Sequence, residues 1–225
     1  NLEINAKFKP QDSIDLKSKE NKKRFTTMML VCAMFAICWI AYIQWETTIA
    51  SFTQSINISM SQYSVLWTIN GIMILVAQPL IRPIIILLKG NLKHQMFVGL
   101  LIFMSSFLVT SFANHFSIFV VGMVILTFGE MFVWPAVPTI ANQLAPVGKQ
   151  GQYQGFVNSA STVGKAFGPF IGGILVDTFN MSMMFIGMII LLSFALLFLS
   201  FYDKVLPKNF KNQHKSRGRR NQNGI

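Results

Sequence analysis

The chain has 225 residues, of which 52% are hydrophobic and only 12% are charged, and its formal net charge is +11. Because soluble domains carry about 25% charged residues, this composition excludes a water-soluble globular protein and calls for lipid as a second apolar solvent. Most of the positive charge lies in two polar tails. Basic tails can bind nucleic acid, but tails that flank membrane spans more commonly contact anionic lipid, so we expect no nucleic-acid partner.

Residues 1–24 are predicted to form a polar cytoplasmic linker, because they contain too little apolar surface to fold alone. The first residue is Asn1 rather than Met, and the apolar run that begins at Phe25 is too long for a signal peptide. We therefore expect the sequence to be the later part of a longer protein.

Residues 25–202 predict an all-α polytopic membrane domain of six transmembrane helices. Each apolar segment reaches or approaches the roughly 20 residues that a helix needs to cross the hydrocarbon core. Strands of a membrane barrel would be about half as long and would alternate polar with apolar residues. The predicted spans are 25–50, 64–88, 95–113, 117–143, 152–176 and 182–202.

The first span ends in a polar segment at residues 44–48. A carboxylate in the hydrocarbon is costly unless it is paired, hydrated or protonated. Glu46 is therefore a candidate proton-coupling residue, unless it simply reaches the outer interface. Gln44 is a candidate for lining a substrate path. Cys32 and Cys38 lie on different faces of this helix and predict neither a disulfide nor a metal site.

The second span contains Asn70 and Gln78, with Pro79 and Pro83 on either side of Arg82. Prolines free backbone carbonyls, which at this depth need protein or a water-lined cavity around them. Asn70 and Gln78 are candidates for lining a substrate path, or alternatively for hydrogen bonds between helices. Arg82 is expected to reach lipid phosphate.

The third and sixth spans consist mainly of Leu, Ile, Phe, Met and Ser and are predicted to face lipid. The fourth span instead carries Glu130 near its middle, which is the main candidate for proton coupling because a carboxyl group at such a depth can exchange a proton near neutral pH. The alternative is a permanently hydrogen-bonded Glu130 that braces two helices. Trp134, beside Pro135, is a candidate for the wall of a cavity.

The fifth span contains the most distinctive pattern of the chain. Gly164, Gly168 and Gly172 recur every four residues, with Pro169 and Gly173 beside them. Small residues at this spacing form a stripe that another helix approaches closely, and proline makes a helix bend. We expect a tightly packed, bendable helix that acts in packing or as a hinge.

Lys165 lies within this glycine series. Lys165 and Glu130 both lie about 20 Å from the cytoplasmic ends of their spans, at 1.5 Å per residue. We expect the two to form an intramembrane ion pair if their helices are neighbours, because pairing lowers the cost of both charges. The sequence leaves open whether such a pair would switch during function or be permanent.

The basic residues also set the predicted topology. All 19 Lys and Arg residues except Arg82 and Lys165 lie in the tails or in the loops at 89–93 and 145–151. Because positive loops stay in the cytoplasm, both termini are predicted to be cytoplasmic in a multi-pass protein of the plasma membrane. Residues 203–225 are predicted to be a basic cytoplasmic tail.

No residue pattern in the chain indicates an enzyme. The sequence has no phosphate-binding loop, dinucleotide fingerprint or His/Cys metal cluster. No nucleophile, His and acid can be assembled from spans of similar depth. We therefore expect no catalytic residue, no metal and no cofactor.

The chain resembles the major facilitator superfamily, and within it the bacterial drug/proton antiporters. Residues 42–44 and 70–80 resemble spans seven and eight of that family. Four further motifs resemble spans ten and eleven of the family. They are Gly129-Glu130 with Pro135, Leu144-Ala145-Pro146, Gly151-Gln152-Tyr153-Gln154-Gly155 and the glycine series. The resemblance, over residues 25–202, implies the C-terminal half of a twelve-span fold, with a missing N-terminal six-helix half and a substrate cavity between the halves.

The resemblance implies proton-coupled efflux of small apolar or amphipathic compounds, so the expected partners are substrate, protons, lipid and the other half. Lys165 departs from the family pattern and argues against a purely lipophilic cation as substrate. The alternatives are uptake or lipid flipping on the same fold, or a non-transporting membrane scaffold. Glu130, Lys165 and Glu46 would couple protons, and the path would be lined by Gln44, Asn70, Gln78 and Trp134.

Overall fold

The computed structural model describes residues 10–87 and 91–205, without the side chains of residues 10–18, 78, 80, 82, 86, 87 and 203. Within these ranges the chain forms seven α-helices and a short 3-10 turn, and it contains no strand. The helices are α1 (Pro10–Tyr42), α2 (Thr48–Ser55), α3 (Met60–Leu87), α4 (Leu92–Thr110), α5 (Phe116–Leu144), α6 (Gln150–Thr178) and α7 (Met181–Val205), and the 3-10 turn is Ile43–Trp45.

The predicted all-α polytopic fold is confirmed. Five stretches of the described residues are long and apolar enough to cross a membrane, and they are Lys19–Ser55, Met60–Ala77, Leu92–Thr110, Phe116–Leu144 and Met181–Tyr202. The first of them joins α1, the 3-10 turn and α2. Helix α6 has 29 residues and is therefore long enough, but its polar and glycine residues keep it outside this apolar set.

From the first described residue, Pro10, the chain is helical, so α1 includes part of the segment predicted to be a linker. An ion pair of 2.9 Å joins Glu20 and Arg24 one turn apart on this polar part of the helix.

Aromatic and aliphatic side chains fill the space between the helices. Helix α4 packs against α5, and α1 packs against both α6 and α7. The largest fully buried side chains include Trp45, Phe103, Phe107, Phe119 and Phe185. Dispersion contacts of this kind hold helices together where lipid removes the hydrophobic driving force.

Helix α3 is the least covered of the apolar spans. Only 22% of its span is buried, against 39% for α4 and 33% for α7, which the sequence predicted to face lipid. Leu75 and Val76 on α3 are exposed, as are Phe167 and Phe170 on α6. The bundle therefore presents its apolar side chains outward, which is the reverse of a soluble protein and matches a lipid environment.

Candidate functional site

Glu130 is the centre of a buried polar cluster that joins three helices, and only 2% of its surface is exposed. Asn70 on α3, which is 6% exposed, donates from Nδ2 to Glu130 Oε1 and, at 3.0 Å, to Thr127 Oγ1. Thr127 donates in turn to the Met123 carbonyl at 2.8 Å. Tyr42 on α1 directs its hydroxyl to the Glu130 carboxyl group. The cluster thus links α1, α3 and α5 through one carboxyl group.

The partners of Glu130 decide what this cluster can do. Asn70 and Tyr42 are neutral donors, and no cationic side chain of the described residues forms an ion pair with Glu130. An ionised carboxylate only accepts hydrogen bonds, whereas a protonated one must also donate. A protonated Glu130 would therefore need an acceptor among these groups, such as the Tyr42 hydroxyl oxygen.

An aromatic cluster lies one helical turn from Glu130 and is centred on Trp134. The rings of Trp134 and Trp39 are stacked, with centroids 5.0 Å apart and an angle of 14° between the planes. Phe35 and Tyr42 meet Trp134 edge-on at 5.3 Å and 5.5 Å, and Phe103 lies at 5.7 Å. Such edge-to-face contacts fix the positions of the rings. The Trp39–Trp134 pair is therefore a braced, flat aromatic surface between α1 and α5.

Lys165 on α6 contacts this surface and not Glu130. Its Nζ lies over the Trp39 ring, 4.0 Å from the centroid. The ion pair with Glu130 expected from their similar depth is therefore not formed in this structure. The reason is the rotation of α6 about its axis: Gly164 faces α1, and Lys165, which points about 100° away from it on the helix, reaches Trp39 on the exposed side.

The environment of Lys165 limits where its ammonium group can lie in a membrane. A lysine at the centre of a lone span costs about 3 kcal/mol, whereas a cation–π contact contributes about 0.5–2 kcal/mol. Trp39 is its one recorded partner among the described residues. The contact with Trp39 cannot offset burial in lipid, so this exposed face of α6 requires water, protein or an anion beside it.

The glycine series of α6 packs directly on α1. A Cβ atom at Gly164 would lie 2.5 Å from both the Ala36 carbonyl oxygen and Trp39 Cβ. A Cβ at Gly168 would collide with Ile43, and one at Gly172 with Gln44 Oε1. The backbones of α1 and α6 therefore approach as closely as glycine allows.

The two remaining residues of the packing prediction, Pro169 and Gly173, lie beside this contact and not within it. Pro169 is only partly buried. Nothing lies within 4 Å of a Cβ built at Gly173. The closest backbone approach of α6 to α1 and the 3-10 turn is therefore made by Gly164, Gly168 and Gly172.

Gln44 is fully buried in the α1–α6 contact, with 0% of its surface exposed. Its Nε2 donates to the Gly168 carbonyl at 2.7 Å and to the Ile40 carbonyl at 2.9 Å. Its Oε1 accepts from Thr48 Oγ1 at 2.7 Å. Gln44 was predicted to line a path, but in this structure its hydrogen bonds tie two helices together where α1 gives way to the 3-10 turn.

The other predicted residues lie apart from the Glu130 cluster. Glu46 is exposed at the end of the 3-10 turn, and no side-chain hydrogen bond or ion pair connects it to the described residues. The side chains of Gln78 and Arg82 lie outside the described residues. The predicted proton-coupling residues Glu130, Lys165 and Glu46 therefore do not form one group.

A pocket of about 440 Å³ opens at the other end of the α1–α6 contact, between α2 and the last turn of α6. It combines hydroxyl groups, one carboxylate and apolar walls. Its lining comprises Thr47, Thr48, Ser51, Phe52, Ser55, Gly173, Val176, Asp177 and Met181.

Two buried or partly buried glutamines that were not among the candidate site residues link α5 to its neighbours. Gln95 Nε2 on α4 donates to the Phe132 carbonyl at 2.8 Å. Gln154 Nε2 on α6 donates to the Pro138 carbonyl and to Asn142 Oδ1, both at 2.8 Å. The sequence signal that could have identified these two residues is an amide side chain within or beside an apolar span, because such amides form hydrogen bonds with carbonyls on neighbouring helices.

Long apolar helices packed around a buried carboxyl group define a polytopic membrane protein, and the comparisons with known proteins give its family. The chain belongs to the Major Facilitator Superfamily, whose family model matches residues 25–222.

Relatives from bacteria and archaea agree with this family. The chain is similar to the MFS-type transporter YttB of Bacillus subtilis, with 48% identity over 191 residues that cover 85% of this chain and 48% of YttB. It is also similar to the MFS-type transporter MJ1560 of Methanocaldococcus jannaschii, with 38% identity over 80 residues that cover 35% of this chain and 21% of that protein. The chain thus spans about half or less of the length of these curated relatives.

Proposed function

We propose that this chain is the C-terminal half of a proton-coupled transporter that exports small apolar or amphipathic compounds across the plasma membrane. In this proposal residues 1–24 connect it to an N-terminal six-helix half, and residues 203–225 form a basic cytoplasmic tail against anionic lipid. Both termini then lie in the cytoplasm, as the distribution of basic residues suggests. The family supports transport, and the buried Glu130 cluster supports proton coupling.

The observation that carries the proposal is a carboxyl group in the middle of a span whose partners are all neutral. Burial favours the uncharged form of such a group, and its proton is exchanged when the surroundings become wet. The titratable group that contacts it is Tyr42 on α1. Asn70 on α3 donates one neutral hydrogen bond to it and another to Thr127 on α5.

Proton exchange at Glu130 has two routes to the rest of the bundle. Through Asn70 it acts on α3, and through Tyr42 it acts on α1 and the aromatic cluster. Trp134, one turn along α5, provides the apolar surface that a substrate would touch. Gln44 is assigned to helix packing in this proposal, and the exposed Glu46 is assigned no part in proton exchange.

The proposal is tested with Glu130→Gln in the full-length protein, reconstituted into vesicles with an imposed proton gradient. Glutamine keeps an oxygen that accepts from Asn70 but carries no exchangeable acid proton, so we expect proton-driven transport to be lost while the protein stays folded. Glu46→Gln is the matched control, and because Glu46 is exposed we expect it to transport nearly as well as the wild type.

Unchanged transport by Glu130→Gln would refute the role of this residue. The direction is tested separately by the pH inside vesicles after substrate is added, since export by exchange and uptake with protons change that pH with opposite sign. A protein that binds substrate but never moves it would favour the scaffold alternative.

A further inference from the structure

We propose that Lys165, Trp39 and Trp134 form a binding site for amphipathic acids, in which the ammonium group pairs with a carboxylate and the two indole rings hold an apolar or aromatic body. This inference rests on the proposed transport function and specifies its substrate class.

The first observation is that no carboxylate among the described residues forms an ion pair with Lys165. Its side chain is exposed, and its recorded contact is with the Trp39 ring at 4.0 Å. The buried carboxyl group of Glu130 is hydrogen-bonded by Asn70 and Tyr42 instead. The positive charge is therefore available to a ligand that approaches the exposed side of α6.

The second observation is an indole N–H without an acceptor. Trp39 Nε1 is buried and has no hydrogen-bond partner in the part of the chain that the structure describes. An ammonium group and an indole N–H are both donors, so the two donors beside this surface lack an oxygen acceptor. A carboxylate supplies two acceptor oxygens and a negative charge, which makes it the group that fits this environment best.

The third observation is the aromatic surface itself. Trp39 and Trp134 are partly buried, and their stacked rings lie 14° from parallel. The ring of Phe35 contacts both indole rings edge-on. An approaching carboxylate would draw the ammonium group away from Trp39 and uncover the ring for an apolar body. A lipophilic cation would instead be repelled by Lys165 and would compete with it for the same ring.

The test is equilibrium binding of radiolabelled naphthalene-1-acetate to the purified full-length protein, compared with naphthalene-1-acetamide, which has the same ring but no charge. We expect the acid to bind at least about tenfold more tightly than the amide, which is the factor that one charge-assisted hydrogen bond supplies. Binding needs no proton gradient, so its outcome is independent of whether Glu130 couples transport to protons.

Variants locate the site. Lys165→Met should abolish the preference for the acid and leave amide binding in place, and Lys165→Arg should keep the preference and so control for folding. Trp39→Leu should weaken both probes. Lys149→Met removes an exposed lysine at the start of α6 and should behave like the wild type. Equal binding of acid and amide, no binding of the acid, or a Lys165→Met protein that still prefers the acid would overturn the proposal.

Discussion

Replacement of Gly164 by alanine tests the close approach of α1 and α6. An added Cβ would lie 2.5 Å from the Ala36 carbonyl oxygen and from Trp39 Cβ, whereas ordinary van der Waals contact begins at 3.4 Å. The two backbones must therefore separate by roughly 1 Å at this point, and overpacking of this kind costs about 1–3 kcal/mol. Alanine regains about 1 kcal/mol of helix propensity, so the net loss is about 0–2 kcal/mol.

Gly155 provides the matched control on the same helix. A Cβ built there meets nothing within 4 Å, so Gly155→Ala gains helix propensity without a collision. The two variants should differ by about 1–3 kcal/mol, which corresponds to several degrees in the unfolding midpoint at about 2–4 °C per kcal/mol for chains of this size. The sign of this difference does not depend on the exact propensity value, because both variants make the same chemical change.

The two native cysteines of α1 offer a direct readout. Cys32 and Cys38 are buried, so a maleimide dye that fluoresces on reaction with thiols reports when α1 leaves the bundle on heating. We expect Gly164→Ala to react at a lower temperature than the wild type or at the same temperature, and always below Gly155→Ala. Equal midpoints for the two variants would show that α1 and α6 are not in backbone contact at Gly164.

Three further predictions concern other contacts. Gln44→Leu removes the bond to the Gly168 carbonyl and should destabilise the protein by about 0.6–2 kcal/mol in the same thermal assay, whereas Gln54→Leu, which loses only a bond within its own helix, should not. Asn70→Leu should reduce proton-driven transport, and combined with Glu130→Gln it should cause no further loss, because both residues act in one hydrogen-bonded unit; additive losses would separate them. A cysteine at Lys204 should react with an impermeant maleimide only after cells are opened, and labelling of intact cells would contradict a cytoplasmic C-terminus.

The fold followed from the sequence because span length and hydrophobicity are local properties. Runs of about 20 apolar residues predict helices whatever their neighbours are, and the glycine series at 164, 168 and 172 indicated close approach without naming the partner helix. The partner is α1, which depends on the order of the helices in the bundle. Helix α6 was also predicted as a span, but its polar and glycine residues keep it outside the five stretches that are apolar enough to cross a membrane.

The side-chain pairs were less predictable, because they depend on how each helix is rotated. Depth alone placed Glu130 and Lys165 together, but the neighbour of Glu130 is Asn70 and that of Lys165 is Trp39. Gln44 was predicted to line a substrate path, but no sequence signal distinguishes an amide that faces a path from one that bonds a carbonyl of the next helix. Rotation about a helix axis is set by packing, which a single sequence does not record.

Because α3 is the least covered helix, the Glu130–Asn70 hydrogen bond is important for holding it to the bundle. Among the described helices α3 packs mainly on α5, and Asn70 is the polar point of that contact. Helix α3 has 28 residues and is about 42 Å long at 1.5 Å per residue. Under the proposed proton coupling, gain or loss of one proton at Glu130 would loosen or tighten the polar attachment of a helix that is long enough to span the bilayer.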